Sequence, residues 1–486
     1  MSSVKYEPVI GLEVHAQLLT KSKIFSSDSG EYGAQPNMNV SPISLGHPGT
    51  LPTVNLKAVE YAVKMGLACN CKIREVNQFA RKNYFYPDLP KGYQISQHTT
   101  PICYNGFLEI KLSENNIKNI GITRIHMEED SGKSIHDQDL NDTLIDLNRA
   151  GVPLIEIVSE PEISTPVEAY EYLSEIRRIL RYLEICDGNM EEGSMRCDAN
   201  ISVRKIGTTT LGTKVEIKNM NSINNVKRAL EFEINRQIEE LTNGGTIIQQ
   251  TRSFDASKGT TFVLRVKEMA NDYRYFPDPD LPPIKITKEY LEKIKSKLPM
   301  LPKQLIKKYT EQYGLSVYDS EVITEYKELA LYFEDIIKNT DEYKSAANWV
   351  MGGVKTYLNE NAVALKDFPV KPAEIAELIS LIKAGKVSNT AANQKIFPEM
   401  IKANKNGTKK NPLQIAEQFN LIQESSESTL RKLINEAISK YPDKVIEYKN
   451  GKKGLVGLFV GEVMKLSQGK ADPKITNQLI IQILEK

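Results

Sequence analysis

At 486 residues the chain is too long for a single ordinary domain and suggests two to four, each able to bury its own core. Its 63 basic against 62 acidic residues give a net charge of +1, which excludes a globally basic nucleic-acid binder but leaves room for a local basic face. No stretch of about 18 apolar residues is present, so no membrane span is expected.

The first clear element is Val9–Leu18. Side chains alternate between the two faces of a strand, so Ile10, Leu12, Val14, Ala16 and Leu18 share a packing face while Glu13, His15 and Gln17 share the other. A carboxylate and an imidazole two residues apart could hold one cation. A solvated outer face would show the same pattern.

Cys69, Cys71, Cys103, Cys186 and Cys197 are an odd, scattered set. They argue against a disulfide framework and for a reducing compartment, with a cytoplasmic location expected and no secretory signal at the start. Cys69 and Cys71 lack the second pair that a zinc site requires and read as small core thiols. All five histidines fall in the first 136 residues, which confines any imidazole chemistry there.

Further acids follow in strand-like segments. His126-Met127-Glu128-Glu129-Asp130 carries three in a row, and alternation does not decide which of Glu128 and Glu129 is functional. In Leu154–Val158 a single acid, Glu156, sits inside an apolar run, where carboxylates are rare unless paired or metal-bound. Arg196, Asp198, Asn200, Ser202 and Arg204 share one face of the next strand, and Glu216 lies between Lys214 and Lys218. One histidine among several carboxylates is a hard donor set that suits Mg²⁺ or Mn²⁺ better than zinc. Two ions about 4 Å apart could clamp a phosphoryl transfer. The chain has no G-x-x-x-x-G-K-[ST] loop and no kinase motif set, so an ATP site must be of another kind.

One helical interlude stands out in this strand-rich part, Pro166–Leu183. The proline-rich run Pro277–Pro283 reads as a domain exit. After it the pattern turns helical: Ile375, Leu378, Ile379 and Ile382 form a stripe capped by Gly385, and Trp349 reads as core. Asn404–Pro412 is a second linker candidate. From Lys449 to Lys474 six lysines face two acids, a local excess of +4 that could meet RNA backbone or simply be a solvated face. Gly457 and Gly461 read most safely as close packing.

Several motifs together resemble the B subunit of the aspartyl/glutamyl-tRNA amidotransferase family. They are Val9–His15, Arg81-Lys82-Asn83-Tyr84-Phe85-Tyr86-Pro87-Asp88, His126–Asp130, Asp146–Glu156, Met190–Asn200 and Asp272–Pro277. The resemblance covers the whole chain and implies an α+β fold. A strand-rich, cradle-like catalytic domain would span 1–292, an all-helical domain 293–407 and a small helical tail domain 408–486.

The resemblance also implies a ligase within a complex that contains an amidase (glutaminase) partner and a small third partner. ATP and Mg²⁺, with Mn²⁺ as a substitute, would serve to phosphorylate the side-chain carboxylate of Glu-tRNA(Gln) or Asp-tRNA(Asn). Ammonia from glutamine, channelled from the amidase, would then displace phosphate. By resemblance one ion falls to His15, Glu129 and Glu156, and a second to Glu13, Asp198 and Glu216, with Glu13, His15, Glu129 and Glu156 as the catalytic set. Arg81, Lys82 and Arg149 are candidate phosphate or substrate contacts, each equally placed to be a structural ion-pair partner. Tyr84, Phe85 and Tyr86 are candidates to stack on the terminal adenine, and the tail lysines are expected at the outer corner of the tRNA. Where many relatives carry zinc-binding cysteines this chain has Ser26, Asp28, Ser41 and Ser44, so no zinc is expected. The glycine- and serine-rich loop of an amidase is absent, which assigns glutamine hydrolysis to the partner. An RNA-binding scaffold without catalytic groups is the alternative, and a stand-alone metal-dependent kinase a third reading.

Overall fold

The computed structural model describes residues 5–113, 116–136, 138–139, 141–266, 272–408, 410–423, 426–467 and 469–485. The chain divides into two compact units, Met1–Leu301 and Pro302–Lys486.

The first unit is built on a mixed sheet of nine strands among the described residues. In spatial order these are Thr260–Val266, Gln250–Asp255, Val215–Lys218, Met195–Lys205, Tyr6–Gln17, Pro153–Ser159, Asn116–Glu129, Cys103–Ser113 and Lys72–Ile73. All neighbours pair antiparallel except Val215–Lys218 with Gln250–Asp255. The alternation read from the sequence is present. Ile10, Leu12, Val14 and Ala16 are fully buried on one face, each larger side chain contributing about 1.5–3 kcal/mol. They join one apolar cluster with Ile155, Ile157, Ala199 and Ile201 from the neighbouring strands.

That face is covered by helices Leu56–Ala68, Pro166–Tyr182 and Ile223–Thr242. Only the middle one stood out in the sequence. Ile223–Thr242 escapes a periodicity reading because its buried stripe includes Glu233 and Gln237. Glu233 is fully buried and accepts hydrogen bonds from Arg236, Gln237 and Thr261, so a core position is filled by a satisfied carboxylate instead of an apolar side chain. The opposite face of the sheet is polar and open.

Pro277–Pro283 is not a free exit. Phe276–Pro277 pairs with the Ala80–Asn83 strand, Leu281 is buried, and Ile284–Lys285 pairs with Val76–Asn77. The unit continues to Leu301, with helix Lys288–Lys295 packed on Leu56–Ala68.

The second unit is all helical in its described residues. Pro372–Lys383 buries Ile375, Leu378 and Ile379, Gly385 follows it at φ +65°, and Trp349 is buried against Phe397. Toward the end, Leu430, Ile434, Phe459, Val463 and Ile480 close a separate apolar cluster. No described helix is long and apolar enough to cross a membrane. Gly457 and Gly461 contradict the close-packing expectation: a Cβ at either would meet nothing within 4 Å.

Candidate functional site

The open face of the sheet assembles the polar positions of five neighbouring strands. Strand register sets Glu13 opposite Asp198, His15 opposite both Arg196 and Glu156, Glu156 opposite His126, and Asn200 opposite Glu216. Each contributing side chain is therefore fixed by a hydrogen-bonded ladder whose reverse side is core. Loops complete a cavity of about 760 Å³ above the sheet, lined among others by His15, Lys82, Glu128, Asp130, Arg149, Glu156, Arg196, Asp198 and Lys218.

On the cavity floor three donors converge. The atoms offered by His15, Glu128 and Glu156 lie within 4.8 Å of one another, and no other group of three or more such residues does so among those described. His15 Nδ1 is 3.5 Å from Glu128 Oε1 and 3.9 Å from Glu156 Oε2, while its Nε2 is 4.0 Å from Asp198 Oδ2. Burial opposes a charged imidazole, but Glu156, Glu128 and Asp198 raise the His15 pKa to about 9. Burial likewise opposes the Glu128 carboxylate, yet His126 and His15 hold it well below the usual range. His15 Nδ1 and His126 Nδ1 are buried without a hydrogen-bond partner. A buried donor group with a polar atom left over fits a divalent cation.

Of the first expected ligand set, the structure brings His15 and Glu156 together but not Glu129. Glu129 does not face His15. It points out of the other side of the strand into a separate cavity of about 210 Å³, where it pairs with Lys91 at 2.5 Å and accepts the Ile95 N–H at 2.7 Å. Glu128 takes its place. The cause is alternation: His126 lies across from Glu156 on the site face, and Glu128, two residues on, shares that face.

The second expected set, Glu13, Asp198 and Glu216, lies on the site face but does not form a ligand group. Lys218 Nζ bridges Asp198 and Glu216, at 3.1 Å from the latter, so an ammonium occupies the space between them. Thr251 donates to Glu216 and Asn200 donates to Glu13. Burial and the charge of Glu156 raise the Glu13 pKa, and Glu13 lines a different, small cavity with Asn200 and Lys214.

Of the three basic candidates, Arg81 is a structural partner. It is clamped by Asp278 at 2.9 Å and Asp280 at 2.7 Å and stacks over Tyr93, pinning the proline-rich segment to the sheet. Lys82 and Arg149 do line the cavity. Burial opposes the charge of Lys82, but Glu128, Tyr275 and Glu156 raise its pKa overall. Its ammonium lies 5.0 Å over the Tyr273 ring and 5.7 Å over that of Tyr84. Arg149 donates to the carbonyls of Ser131 and Gly132 and stands 3.7 Å from Asp130, in a turn closed by Gly151 at φ +86°. Asp130 is also held by Arg196 and Gln17.

Phe85 is 89% exposed, so the Tyr84–Tyr86 run is not core packing; Tyr84 touches both Tyr86 and Tyr273 edge-on. Ser26, Asp28, Ser41 and Ser44 do come together. Asp28 accepts hydrogen bonds from the Ser41 hydroxyl and amide and from Ser44, and Ser26 contacts Ser44 at 3.4 Å. Three hydroxyls and one carboxylate do not fit zinc, which takes thiolate and imidazole donors in structural sites.

Sequence reasoning passed over His126, Asp130, Arg196 and Lys218 as site residues, and left Glu128 open against Glu129. The signal for His126 and Glu128 was the two-residue spacing that had singled out Glu13 and His15.

Two known domain families match the sequence of this chain. Residues 8–292 match the family described as GatB/GatE catalytic domain, and residues 331–484 match the GatB domain. Similarity extends over nearly the full length of curated relatives, each named as the B subunit of an aspartyl/glutamyl-tRNA(Asn/Gln) amidotransferase. That of Thermodesulfovibrio yellowstonii is 50% identical over 483 residues, covering 99% of this chain and 100% of the relative. That of Thermosynechococcus vestitus is 50% identical over 492 residues, covering 99% and 97%. That of Persephonella marina is 48% identical over 483 residues, covering 99% and 100%. The chain belongs to the family of aspartyl/glutamyl-tRNA(Asn/Gln) amidotransferase B subunits.

Proposed function

We propose that this chain is the ATP- and Mg²⁺-using component of a carbon–nitrogen ligase that converts Glu-tRNA(Gln), Asp-tRNA(Asn) or both to the amidated forms. Its partners on this reading are an amidase (glutaminase), a small third protein and the misacylated tRNA, in the cytoplasm. The observation that carries the reading is the convergence of His15, Glu128 and Glu156 on the floor of a cavity walled by Lys82, Arg149, Arg196 and Lys218.

The chemistry required is activation of a carboxylate. A carboxylate resists ammonia because it is anionic and would have to expel oxide. Transfer of the γ-phosphoryl group of ATP to one carboxylate oxygen releases ADP and creates a leaving group. Ammonia then attacks the acyl carbon, phosphate departs, a proton is lost and the amide remains. Bound Mg²⁺, held by His15, Glu128 and Glu156, would supply charge that offsets the build-up on the phosphoryl oxygens.

The chain's own residues do the rest. Lys82 is half-buried, carries its charge against that burial and borders the acids, which suits it to contact phosphoryl oxygens. Lys218 neutralises Asp198 and Glu216, so two of the carboxylates on this face do not repel an anionic substrate. Arg196 and Arg149 neutralise Asp130 at the cavity wall in the same way. The 760 Å³ volume accommodates an aminoacyl end and a nucleotide phosphate chain.

The test is reconstitution with the amidase and the small partner, misacylated tRNA, ATP, Mg²⁺ and glutamine. Glu156→Gln is expected to abolish amidated tRNA while glutaminase activity and tRNA binding persist. Full transamidation by that variant would favour the scaffold reading.

A further inference from the structure

His126 has no part in the reaction described so far, yet it is 4% exposed and sits directly behind the acids. Its Nε2 lies 3.4 Å from Glu156 Oε2 and 3.6 Å from Glu128 Oε2. The two oxygens of Glu128 are thereby divided between different partners. Oε2 is shared by His126 and by the Ser96 hydroxyl, which donates to it at 3.2 Å, whereas Oε1 faces His15 Nδ1 at 3.5 Å. His126 itself falls outside the group of mutually close donors.

We propose that His126 is a positioning residue for the cation site, holding Glu128 and Glu156 from behind so that their remaining lone pairs meet beside His15. The inference rests on the reading of His15, Glu128 and Glu156 as a cation site. Two buried carboxylates at this separation repel each other, and each has a competing cation within its field, since both Glu128 and Glu156 act on Lys82. Without a holder they would turn toward that ammonium, and the cation would have to reorder them on binding. Register makes the arrangement rigid: His126 is locked across the ladder from Glu156, and Glu128 follows it on the same face. Groups that hold metal ligands in place without touching the metal change metal affinity by about 10- to 100-fold when removed.

The test is Mn²⁺ binding to the full chain, read by electron paramagnetic resonance, in wild type and in His126→Gln, His126→Asn and Glu156→Gln. The Gln amide reaches the position of Nε2 and can donate to both acids; the Asn amide is too short. The expected result is that His126→Asn loses about 10-fold or more in affinity while His126→Gln keeps most of it. Equal affinities in Asn and wild type, or equal losses in Asn and Gln, would overturn the positioning role. If wild type itself binds no Mn²⁺, or Glu156→Gln binds as tightly as wild type, the cation-site reading fails instead. Thermal unfolding without metal, recorded for each variant, separates a folding defect from a lost ligand geometry.

Discussion

Glu128 and Glu129 are adjacent in the chain and serve opposite sides of one strand: Glu128 faces His15 across the open cavity, and Glu129 pairs with Lys91 on the other side. Both partners of the Glu129–Lys91 pair are nearly inaccessible, at 5% and 10% side-chain exposure. Removing one member of a buried pair leaves an uncompensated charge and costs about 3–5 kcal/mol. Glu129→Ala is therefore expected to lower the urea unfolding midpoint of the catalytic unit substantially. An unchanged midpoint would show that Lys91 finds another partner.

Lys218 stands where the resemblance implied a second ion, bridging Asp198 and Glu216. Its removal leaves those acids without an ammonium between them, so Lys218→Met is expected to gain an additional Mn²⁺ site beyond that of wild type. Isothermal titration reads the stoichiometry directly. The same stoichiometry in both proteins would mean that Asp198 and Glu216 cannot approach one ion even when Lys218 is gone.

The loop containing Ser26, Ser41 and Ser44 is tied together by Asp28. Hydrogen bonds from Ser44 and Ser41 offset the cost of its partial burial and hold its pKa below the ordinary value. Asp28→Ala leaves the Ser41 amide and two hydroxyls without their acceptor and is expected to cost about 1–3 kcal/mol. Elemental analysis of purified wild type should find no stoichiometric zinc. Stoichiometric zinc, or an Asp28→Ala protein as stable as wild type, would contradict the role given to this cluster.

Lys23 is fully buried, and burial lowers its pKa from 10.5 to about 8 while its Nζ donates to the Asn39 carbonyl at 2.6 Å. Above about pH 8 the folded chain has shed this proton, whereas the unfolded chain keeps it to about 10.5. The unfolded state binds more protons in that window, so this group makes stability rise with pH. The urea midpoint of wild type relative to Lys23→Met is expected to increase from pH 8 to pH 10. A constant difference would show that Lys23 stays charged in the fold.

What was legible in the sequence was what strand alternation controls. The Val9–Leu18 pattern gave the packing face and the polar face correctly, and with it the place of Glu13 and His15. Two kinds of feature were hidden. Glu128 could not be separated from Glu129 without knowing that the strand stays regular through this point, and the motif resemblance chose the neighbour that the strand turns toward Lys91. Lys218 lay beside Glu216 in the chain, but its reach to Asp198 on the next strand depends on register, which one sequence does not display. The Ile223–Thr242 helix was masked by its buried Glu233, a core position that reads as surface until Arg236, Gln237 and Thr261 are seen around it. The exposed glycines Gly457 and Gly461 were misread because small residues spaced four apart more often mark helix contacts.

Whether His15, Glu128 and Glu156 form the cation site is tested most directly by Mn²⁺ titration of the full chain carrying Glu128→Gln, set against Glu129→Gln. Glu128→Gln is expected to lose the tight site and Glu129→Gln to retain it. Retention in Glu128→Gln with loss in Glu129→Gln would contradict the assignment.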